Sequence, residues 1–263
     1  MRARALAKVT LSLRVLGRRA DGYHDLEALT VSATEPYDDL ELTDATTIEL
    51  SVDGPFAAGA PRDATNLVAR ALDALGRTMH VTLHKGIPAG AGLGGGSSDA
   101  AAVLRVLGGG ADDAARLGAD VPFCMQQQPA WMRGRGEVLD SITGLPPIDL
   151  VIVAPDFSCS TPTVYRAWDE LGGPRSTRTV DAPDAYPGPF VNDLEPAAEH
   201  LEPRLREFRE QVVALIRRDV LLCGSGSAYA AWFDRASDAD GAAAALRRML
   251  GTKRVWAART VDS

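Results

Sequence analysis

The sequence predicts an α/β fold in two parts. Some segments alternate apolar and polar side chains as half-buried strands do, others repeat apolar residues at helical spacing, and the pair Pro146-Pro147 separates the two parts. The 263 residues, 46% of them hydrophobic, suffice for one large domain or two small ones around a real core. The predicted domains are residues 1–146 and 147–263.

Strands and helices alternate in the first part. Period-two alternation predicts strands over residues 9–15, 47–52 and 80–84. Helical spacing predicts helices over 66–75, over 100–107, which three glycines stop, and over 112–117. The pair Asp21-Gly22 predicts a hairpin turn after the first strand.

The second part continues the same pattern. A strongly apolar strand is predicted over residues 149–154, and further strands over 220–223 and 228–233. Helices are predicted over 163–171 and about 203–217, separated by a polar, proline-rich excursion over 172–189. A last helix is predicted over 238–250, with Ser237 as its N-cap.

Composition restricts the possible partners. The formal net charge of −7 argues against nucleic acid. No apolar run approaches the roughly 20 residues of a membrane span, and the N-terminus lacks the apolar core of a signal peptide. Cys124, Cys159 and Cys223 are far apart and without metal-ligand spacing, which predicts buried thiols in a reducing cytosol. We therefore expect a cytoplasmic protein that acts on a small molecule.

Residues 88–102, PAGAGLGGGSSDAAA, are the most informative segment. Glycines let the backbone turn tightly and expose its N–H groups, and an alanine-rich helix follows, for which Ser97 is the predicted N-cap. Such a loop binds anions, because free N–H donors and the positive end of the helix dipole point the same way. The pattern predicts a nucleoside triphosphate as ligand, held by a loop with five glycines: Gly90, Gly92, Gly94, Gly95 and Gly96.

Three other interpretations of this loop are weaker. A Walker A loop is excluded because the chain contains no Gly-Lys pair. The dinucleotide pattern G-x-G-x-x-G matches at positions 90, 92 and 95, but it should follow directly on a strand, and five residues intervene. A flexible linker has no reason to lie between a strand and a helix.

Five segments together carry a family resemblance. The loop resembles the P-x-x-x-G-L-G-S-S-A loop of the GHMP kinases at Pro88, Gly92, Leu93, Gly94, Ser97 and Ser98. With AKVTL at 7–11, RADGYH at 19–24, LGADVPF at 117–123 and CGSGSA at 223–228, the chain resembles the GHMP kinases of the non-mevalonate isoprenoid pathway over about residues 7–232.

The resemblance implies a fold and a reaction. The fold is a ribosomal-S5-domain-2-like nucleotide domain followed by a ferredoxin-like domain, with the active site in the cleft between them. The reaction is transfer of the ATP γ-phosphoryl group to the 2-hydroxyl of a methylerythritol unit linked to cytidine diphosphate.

The resemblance also assigns the catalytic residues. Asp120 is implied as the base, because a hydroxyl nucleophile benefits from a carboxylate that accepts its proton. Lys8 is implied beside it, where it would orient the acceptor hydroxyl and stabilise charge on the phosphoryl group. Without the resemblance, Asp120 would be read as a helix N-cap or turn residue, and Lys8 as a solvated edge lysine.

Substrate and nucleotide contacts follow from the same resemblance. Tyr23 and His24 match residues that hold the cytosine, whereas His80, His84 and His200 are predicted to be structural. The remaining residues implied on the substrate side are Thr10, Thr161, Pro162, Gly224 and Ser225.

Asn66 and Lys85 match the adenosine side of the family. Asn66 could equally cap its helix, and Lys85 could equally lie in solvent. Mg²⁺ must accompany ATP, and Ser98 is its one predicted ligand. For Asp99, a helix-stabilising role near the positive helix end suffices.

Three departures separate this chain from the family pattern. Thr10 stands where the family has asparagine, the segment 107–115 is shortened, and Gln126, Gln127 and Gln128 replace a glycine pair. None of them removes Lys8, the loop or Asp120.

Three alternative functions stay open as hypotheses. A homoserine or mevalonate type of GHMP kinase is disfavoured by RADGYH, since those substrates carry no cytosine. A non-catalytic nucleotide-binding relative is disfavoured by Lys8 and Asp120, and an oxidoreductase is the most distant alternative. We expect a monomer or a weak homodimer.

Overall fold

The structure, a computed structural model, describes residues 1–262. A mixed six-stranded sheet forms the first part. Its strands have the order β3-β4-β2-β5-β6, with β1 paired to the other side of β2, and β3 runs parallel to β4 while the remaining pairs are antiparallel. The bounds are Arg2–Arg18 (β1), His24–Asp44 (β2), Glu49–Asp53 (β3), Met79–His84 (β4), Ala130–Gly134 (β5) and Val138–Ser141 (β6).

Four helices accompany this sheet. The longest, α2, packs on β1 and contacts α1 and α4, because its alanine-rich face permits close approach. A single 3₁₀ turn, Ala57–Gly59, precedes α1. The bounds are Leu67–Ala74 (α1), Gly95–Leu107 (α2), Ala111–Leu117 (α3) and Val121–Gln126 (α4).

A four-stranded antiparallel sheet, in the order β10-β11-β7-β12, forms the second part, beside a two-stranded ribbon, β8-β9. The strands are Asp149–Val153 (β7), Thr179–Val180 (β8), Phe190–Val191 (β9), Leu221–Leu222 (β10), Tyr229–Phe233 (β11) and Val255–Arg259 (β12). The helices are Thr161–Glu170 (α5), Glu195–Leu201 (α6), Arg204–Ile216 (α7) and Ala236–Leu250 (α8).

The two parts share apolar packing. Val9 and Leu29 of the first sheet lie in one buried cluster with Leu150 and Ile152 of the second. β12 also contacts β2, and Thr260 just beyond it bridges back to the first sheet. The α/β class is confirmed, whereas the domain boundary after residue 146 stays a prediction.

Both predicted serine caps are wrong. The helix α2 begins at Gly95, with Gly94 as its N-cap at φ 69°, so Ser97 lies inside the first turn. Glycines at 94–96 allow the chain to enter the helix earlier than the polar residue suggests. Likewise α8 begins at Ala236 after Arg235, and Ser237 lies within it. The hairpin turn at Asp21-Gly22 is confirmed, since β1 and β2 pair antiparallel on either side of it.

Candidate active site

A long cleft of about 1040 Å³ lies between the two parts of the chain. Its walls are the middle and end of β1, the start of β2, the glycine loop, the beginning of α4, and α5 with the turn after β10. Every site residue predicted from the sequence lines this cleft, except Ser98. The sequence motifs, scattered over about 220 residues, therefore converge on one cavity.

The glycine loop presents its backbone N–H groups to the cleft. Within residues 1–262, no N–H of residues 90–96 donates to a protein acceptor. The loop carbonyls point the other way: Leu93 accepts from the Lys8 N–H at 3.0 Å, Gly90 from Cys159 at 3.1 Å, and Ala91 from Ala228 at 3.0 Å. Free donors at the N-terminus of α2 make an anion site, as the loop pattern predicts.

Two loop glycines are required by close contacts. A Cβ on Gly92 would lie 1.9 Å from the Cys223 carbonyl oxygen, and a Cβ on Gly94 would lie 2.6 Å from Cγ of Lys8. Both glycines also have positive φ, 77° and 69°, which side chains other than glycine rarely adopt. The loop is therefore pressed between β1 and the turn after β10.

Lys8 and Asp120 form an ion pair beside this loop. Nζ of Lys8 lies 3.3 Å from Oδ2 of Asp120 and 3.5 Å from Oγ1 of Thr10. Lys8 is 8% exposed, so the solvated-lysine alternative is wrong. Asp120 occupies the N-cap position of α4, yet its side chain makes no capping hydrogen bond and is 34% exposed. An accessible carboxylate held by a buried ammonium group suits proton transfer from a bound hydroxyl.

An aromatic cluster forms the far end of the cleft. The His24 ring stacks on Tyr165 with centroids 4.8 Å apart, and its Nε2 lies 2.8 Å from Oδ1 of Asp169. Tyr23 is exposed, with the Arg135 guanidinium 4.9 Å from its ring centroid. Flat rings, one of them accessible, can accommodate a planar base.

The turn after β10 closes the cleft opposite the loop. Ser225 shares a 2.7 Å hydrogen bond with Thr161, which starts α5 next to Pro162. The Asn192 side chain donates to the Gly224 carbonyl at 2.7 Å and fixes the turn. The second part of the chain thereby contributes directly to the cavity.

The two residues predicted on the adenosine side are engaged within the protein. Asn66 caps α1 by accepting from the Val68 N–H at 2.9 Å, and it donates to the Pro61 carbonyl at 2.7 Å. Lys85 is 3% exposed, so its placement in solvent is wrong. Its ammonium group instead pairs with two buried carboxylates, those of Asp38 and Asp99.

The predicted metal ligand points away from the cleft. The Ser98 hydroxyl donates to the Leu6 carbonyl at 2.7 Å and lies 3.2 Å from Sγ of Cys124. Its neighbour Ser97 lines the cleft instead. Because α2 begins at Gly95, helical rotation turns these two consecutive side chains to different faces.

Other predicted structural residues behave as expected. His80 and His84 bond to Ser51 and Asp53 on the neighbouring strand. The three cysteines are free and buried, and burial raises the thiol pKa of Cys124 and of Cys223 to about 12. Residues 1–262 contain no group of three or more His, Cys, Asp or Glu that could hold a metal, and no helix among them is long and apolar enough to cross a membrane.

Comparisons with known proteins decide the family. Residues 64–127 match the family described as GHMP kinases N terminal domain. The chain is 37% identical to the 4-diphosphocytidyl-2-C-methyl-D-erythritol kinase of Paracoccus denitrificans, over 97% of this chain and 94% of that protein. The chain belongs to the 4-diphosphocytidyl-2-C-methyl-D-erythritol kinase family. The enzyme of that name from Jannaschia is 41% identical over 81% of each chain.

Solved structures agree with this family. A crystal structure of 4-(cytidine 5'-diphospho)-2C-methyl-D-erythritol kinase superposes with a TM-score of 0.80 at 36% identity, over the whole of both chains. The L. major mevalonate kinase, at 15% identity, has a TM-score of 0.65 over the whole of this chain and 96% of its own, and shows the shared fold alone.

This member of the 4-diphosphocytidyl-2-C-methyl-D-erythritol kinase family has site residues that the sequence did not single out. Tyr165, Arg135 and Asp169 line the cleft around His24 and Tyr23. Tyr165 lies three residues after Pro162 on α5, so helical spacing from a predicted site residue could have indicated it. Arg135 lies in the segment Gly134-Arg135-Gly136-Glu137, which resembles the family, whereas Asp169 carried no local signal.

Proposed function

We propose that this protein transfers the γ-phosphoryl group of ATP to the 2-hydroxyl of 4-diphosphocytidyl-2-C-methyl-D-erythritol, giving the 2-phosphate and ADP in isoprenoid precursor biosynthesis. The observation that carries the proposal is the Lys8–Asp120 pair, which lies in the same cleft as the free N–H groups of the glycine loop. Membership of the kinase family supports the same reaction.

The glycine loop would hold the phosphates of ATP. Its N–H groups and the positive end of α2 favour negative charge, so positioning and charge stabilisation come from the backbone. Bound Mg²⁺ would neutralise phosphate charge; it keeps several waters, so a sparse protein ligand set fits it. Ser97, which lines the cleft, is better placed to hold it than Ser98, whose hydroxyl donates to the Leu6 carbonyl.

Asp120 would accept the proton of the acceptor hydroxyl. Its carboxylate is accessible, and the 3.3 Å contact with Lys8 Nζ fixes its orientation. Lys8 would also attract the transferring phosphoryl oxygens, because its ammonium group is buried beside the loop. Oγ1 of Thr10 lies 3.5 Å from Nζ of Lys8, and its hydroxyl would be available to hydrogen-bond to the acceptor.

The cytidine end of the acceptor would occupy the aromatic cluster. Tyr23 offers an exposed ring for stacking, and the His24 imidazole or backbone offers hydrogen-bonding groups. Thr161, Pro162, Gly224 and Ser225 would line the path between this end and the loop. We propose that the protein does this as a monomer or a weak homodimer.

A direct transfer assay tests the proposal. Purified protein with Mg-ATP is given 4-diphosphocytidyl-2-C-methyl-D-erythritol, homoserine or mevalonate, and ADP release and the phosphorylated products are measured. We expect rapid phosphorylation of the cytidylyl substrate alone. Preferred turnover of either other alcohol, or ATP binding with no transfer to any of the three, would contradict the proposal.

A further inference from the structure

Three buried charged side chains lie beneath the glycine loop. Nζ of Lys85 lies 2.5 Å from Oδ2 of Asp38 and 2.6 Å from Oδ2 of Asp99. The side-chain exposures of Lys85, Asp38 and Asp99 are 4%, 0% and 3%. Burying three charges is costly unless they are paired and hydrogen-bonded. A solvent-exposed ion pair would avoid this cost, so we ask what the buried cluster contributes to the molecule.

The cluster joins both ends of the loop to β2. Oδ1 of Asp38 accepts the N–H groups of Gly86 at 2.6 Å and Ile87 at 2.8 Å, where the chain enters the loop. Asp99 lies on α2, where the chain leaves the loop. Lys85 connects the two carboxylates. The distance between the loop ends is therefore set by one compact set of contacts.

The cluster also lies against the cavity. Lys85 and Asp99 both line the cleft, and a Cβ on Gly95 would be 3.4 Å from Nζ of Lys85. Among residues 1–262, Oδ1 of Asp99 is buried with no hydrogen-bond partner. Two ionised carboxylates around one ammonium would leave a net negative charge beside bound phosphates.

Burial and mutual interaction shift the proton affinities of the clustered side chains. Burial raises the pKa of its carboxyl well above the usual value, and the Asp38 carboxylate adds to that rise, against the lowering effect of Lys85. Those two carboxylates raise the pKa of Lys85, although burial acts against them. The short contacts that join these side chains, and the two N–H groups that Asp38 accepts, therefore hold the two ends of the loop together.

We propose that Asp38, Lys85 and Asp99, the loop clamp, are positioning residues that hold the phosphate loop at the spacing ATP requires. The proposal rests on the proposed function, since it assumes that the loop binds ATP. The clamp lies far from the cytidine end: Asp38 pairs with Ala5, and His24 pairs with Arg18. Ala5 and Arg18 are about 40 Å apart along an extended strand, so the clamp should affect nucleotide and not acceptor.

The main test replaces the central cation. In Lys85→Met, the Kd for Mg-ADP, measured by calorimetry on the full chain, should rise at least tenfold. The KM for the cytidylyl acceptor should change less than twofold. Arg178→Met is the matched control: it breaks a 2.6 Å pair with the buried Glu195, outside the cleft. It should lower the melting temperature but leave the Kd for Mg-ADP within twofold of wild type.

A second pair of variants keeps the test decisive if Lys85→Met folds poorly. Asp99→Asn preserves the shape of the side chain and an oxygen that can accept from Lys85, so we expect its Kd for Mg-ADP to rise less than threefold. Asp99→Leu removes the polar contacts and should raise that Kd at least tenfold. Near-normal affinity in Asp99→Asn together with weak affinity in Asp99→Leu would show that the polar contacts of residue 99, and not only its volume, position the loop.

Each result decides between the proposals. Equal Kd values for Mg-ADP in wild type, Lys85→Met and Asp99→Leu would overturn the clamp, as would parallel losses of nucleotide and acceptor affinity. Wild type that binds Mg-ADP but transfers no phosphoryl group would overturn the proposed kinase function alone, and the same Kd series would still decide the clamp. Wild type without nucleotide binding would overturn both.

Discussion

Replacing Asp120 by asparagine tests the proposed proton transfer most directly. The amide has nearly the same shape as the carboxylate but cannot accept a proton from the acceptor hydroxyl. General-base catalysis typically contributes about 10²–10⁴-fold in rate, which is about 3–5 kcal/mol of barrier. We therefore expect turnover to fall by at least 10²-fold, while the Kd for Mg-ADP stays within threefold because the loop N–H groups are untouched.

The loss of folding free energy in Asp120→Asn can be estimated from the Lys8–Asp120 contact. The change weakens one 3.3 Å contact and leaves the 8% exposed Lys8 with Thr10 as a distant partner. A hydrogen bond to a charged group contributes about 1.5–3 kcal/mol, and the one-third exposure of Asp120 places this contact toward the lower end. The melting temperature should fall by roughly 3–6 °C, so the variant remains folded at 25 °C.

A matched control separates chemistry from stability. Asp149→Asn weakens a pair of the same length, since Oδ1 of Asp149 lies 3.3 Å from Arg259 Nη1, outside the cleft. It should lose comparable stability and keep wild-type turnover with the cytidylyl acceptor. Turnover of Asp120→Asn within tenfold of wild type, in a protein that melts cooperatively, would refute the assignment of Asp120 as the base.

Three further changes have defined outcomes. Gly92→Ala should destabilise the protein by about 2 kcal/mol or more and raise the KM for ATP, because its Cβ would meet a backbone carbonyl oxygen at 1.9 Å. The control in thermal unfolding is Gly76→Ala, which has the same positive φ strain but no atom within 4 Å of its Cβ. Asp169→Asn should raise the KM for the acceptor several-fold and leave the KM for ATP unchanged in steady-state kinetics, because Asp169 orients His24. Burial raises the pKa of Asp99, so above about pH 4 the folded protein binds more protons than the unfolded chain, and stability falls as pH rises toward that raised pKa. Asp99→Asn should remove this fall as the pH rises from about 4 in urea unfolding; an unchanged slope would contradict it.

Among residues 1–262, local pattern predicted six of the eight α-helices and six of the twelve strands, and it missed the central strand β2. β2 is 21 residues long and pairs with β1, β4 and β5. Apolar residues alternate in two short pieces, Leu29, Val31 and Ala33 and then Leu40 and Leu42, but Pro36 separates the two pieces and the charged residues Asp38, Asp39 and Glu41 surround the second. The structure explains these charges separately: Asp38 belongs to the loop clamp, and the other two pair with arginines of β1. A proline and a buried charge in the middle of a long strand divide its alternation into pieces too short to predict the whole strand.

Local pattern has the same limit for the site residues as for the strands. Residues inside short motifs, such as Lys8 and Asp120, could be placed because the motif fixes their neighbours. Asp169 could not, because it meets His24 from 145 residues away and nothing local distinguishes it from a surface carboxylate. Ser97 and Ser98 show a third case: the motif identified both, but only the start of α2 at Gly95 determines which of the two residues lines the cleft.

The phosphate loop is local in sequence but not in its structural support. Its N–H groups are free to bind phosphate because its carbonyls are held elsewhere, and two of those partners, Cys159 and Ala228, belong to the second part of the chain. The carbonyl of Cys223 also limits position 92 to glycine. A glycine-rich loop without these contacts could turn its peptide groups and lose the shared orientation of its donors. The anion site therefore requires both parts of the chain, although the matched GHMP segment, residues 64–127, contains the whole loop.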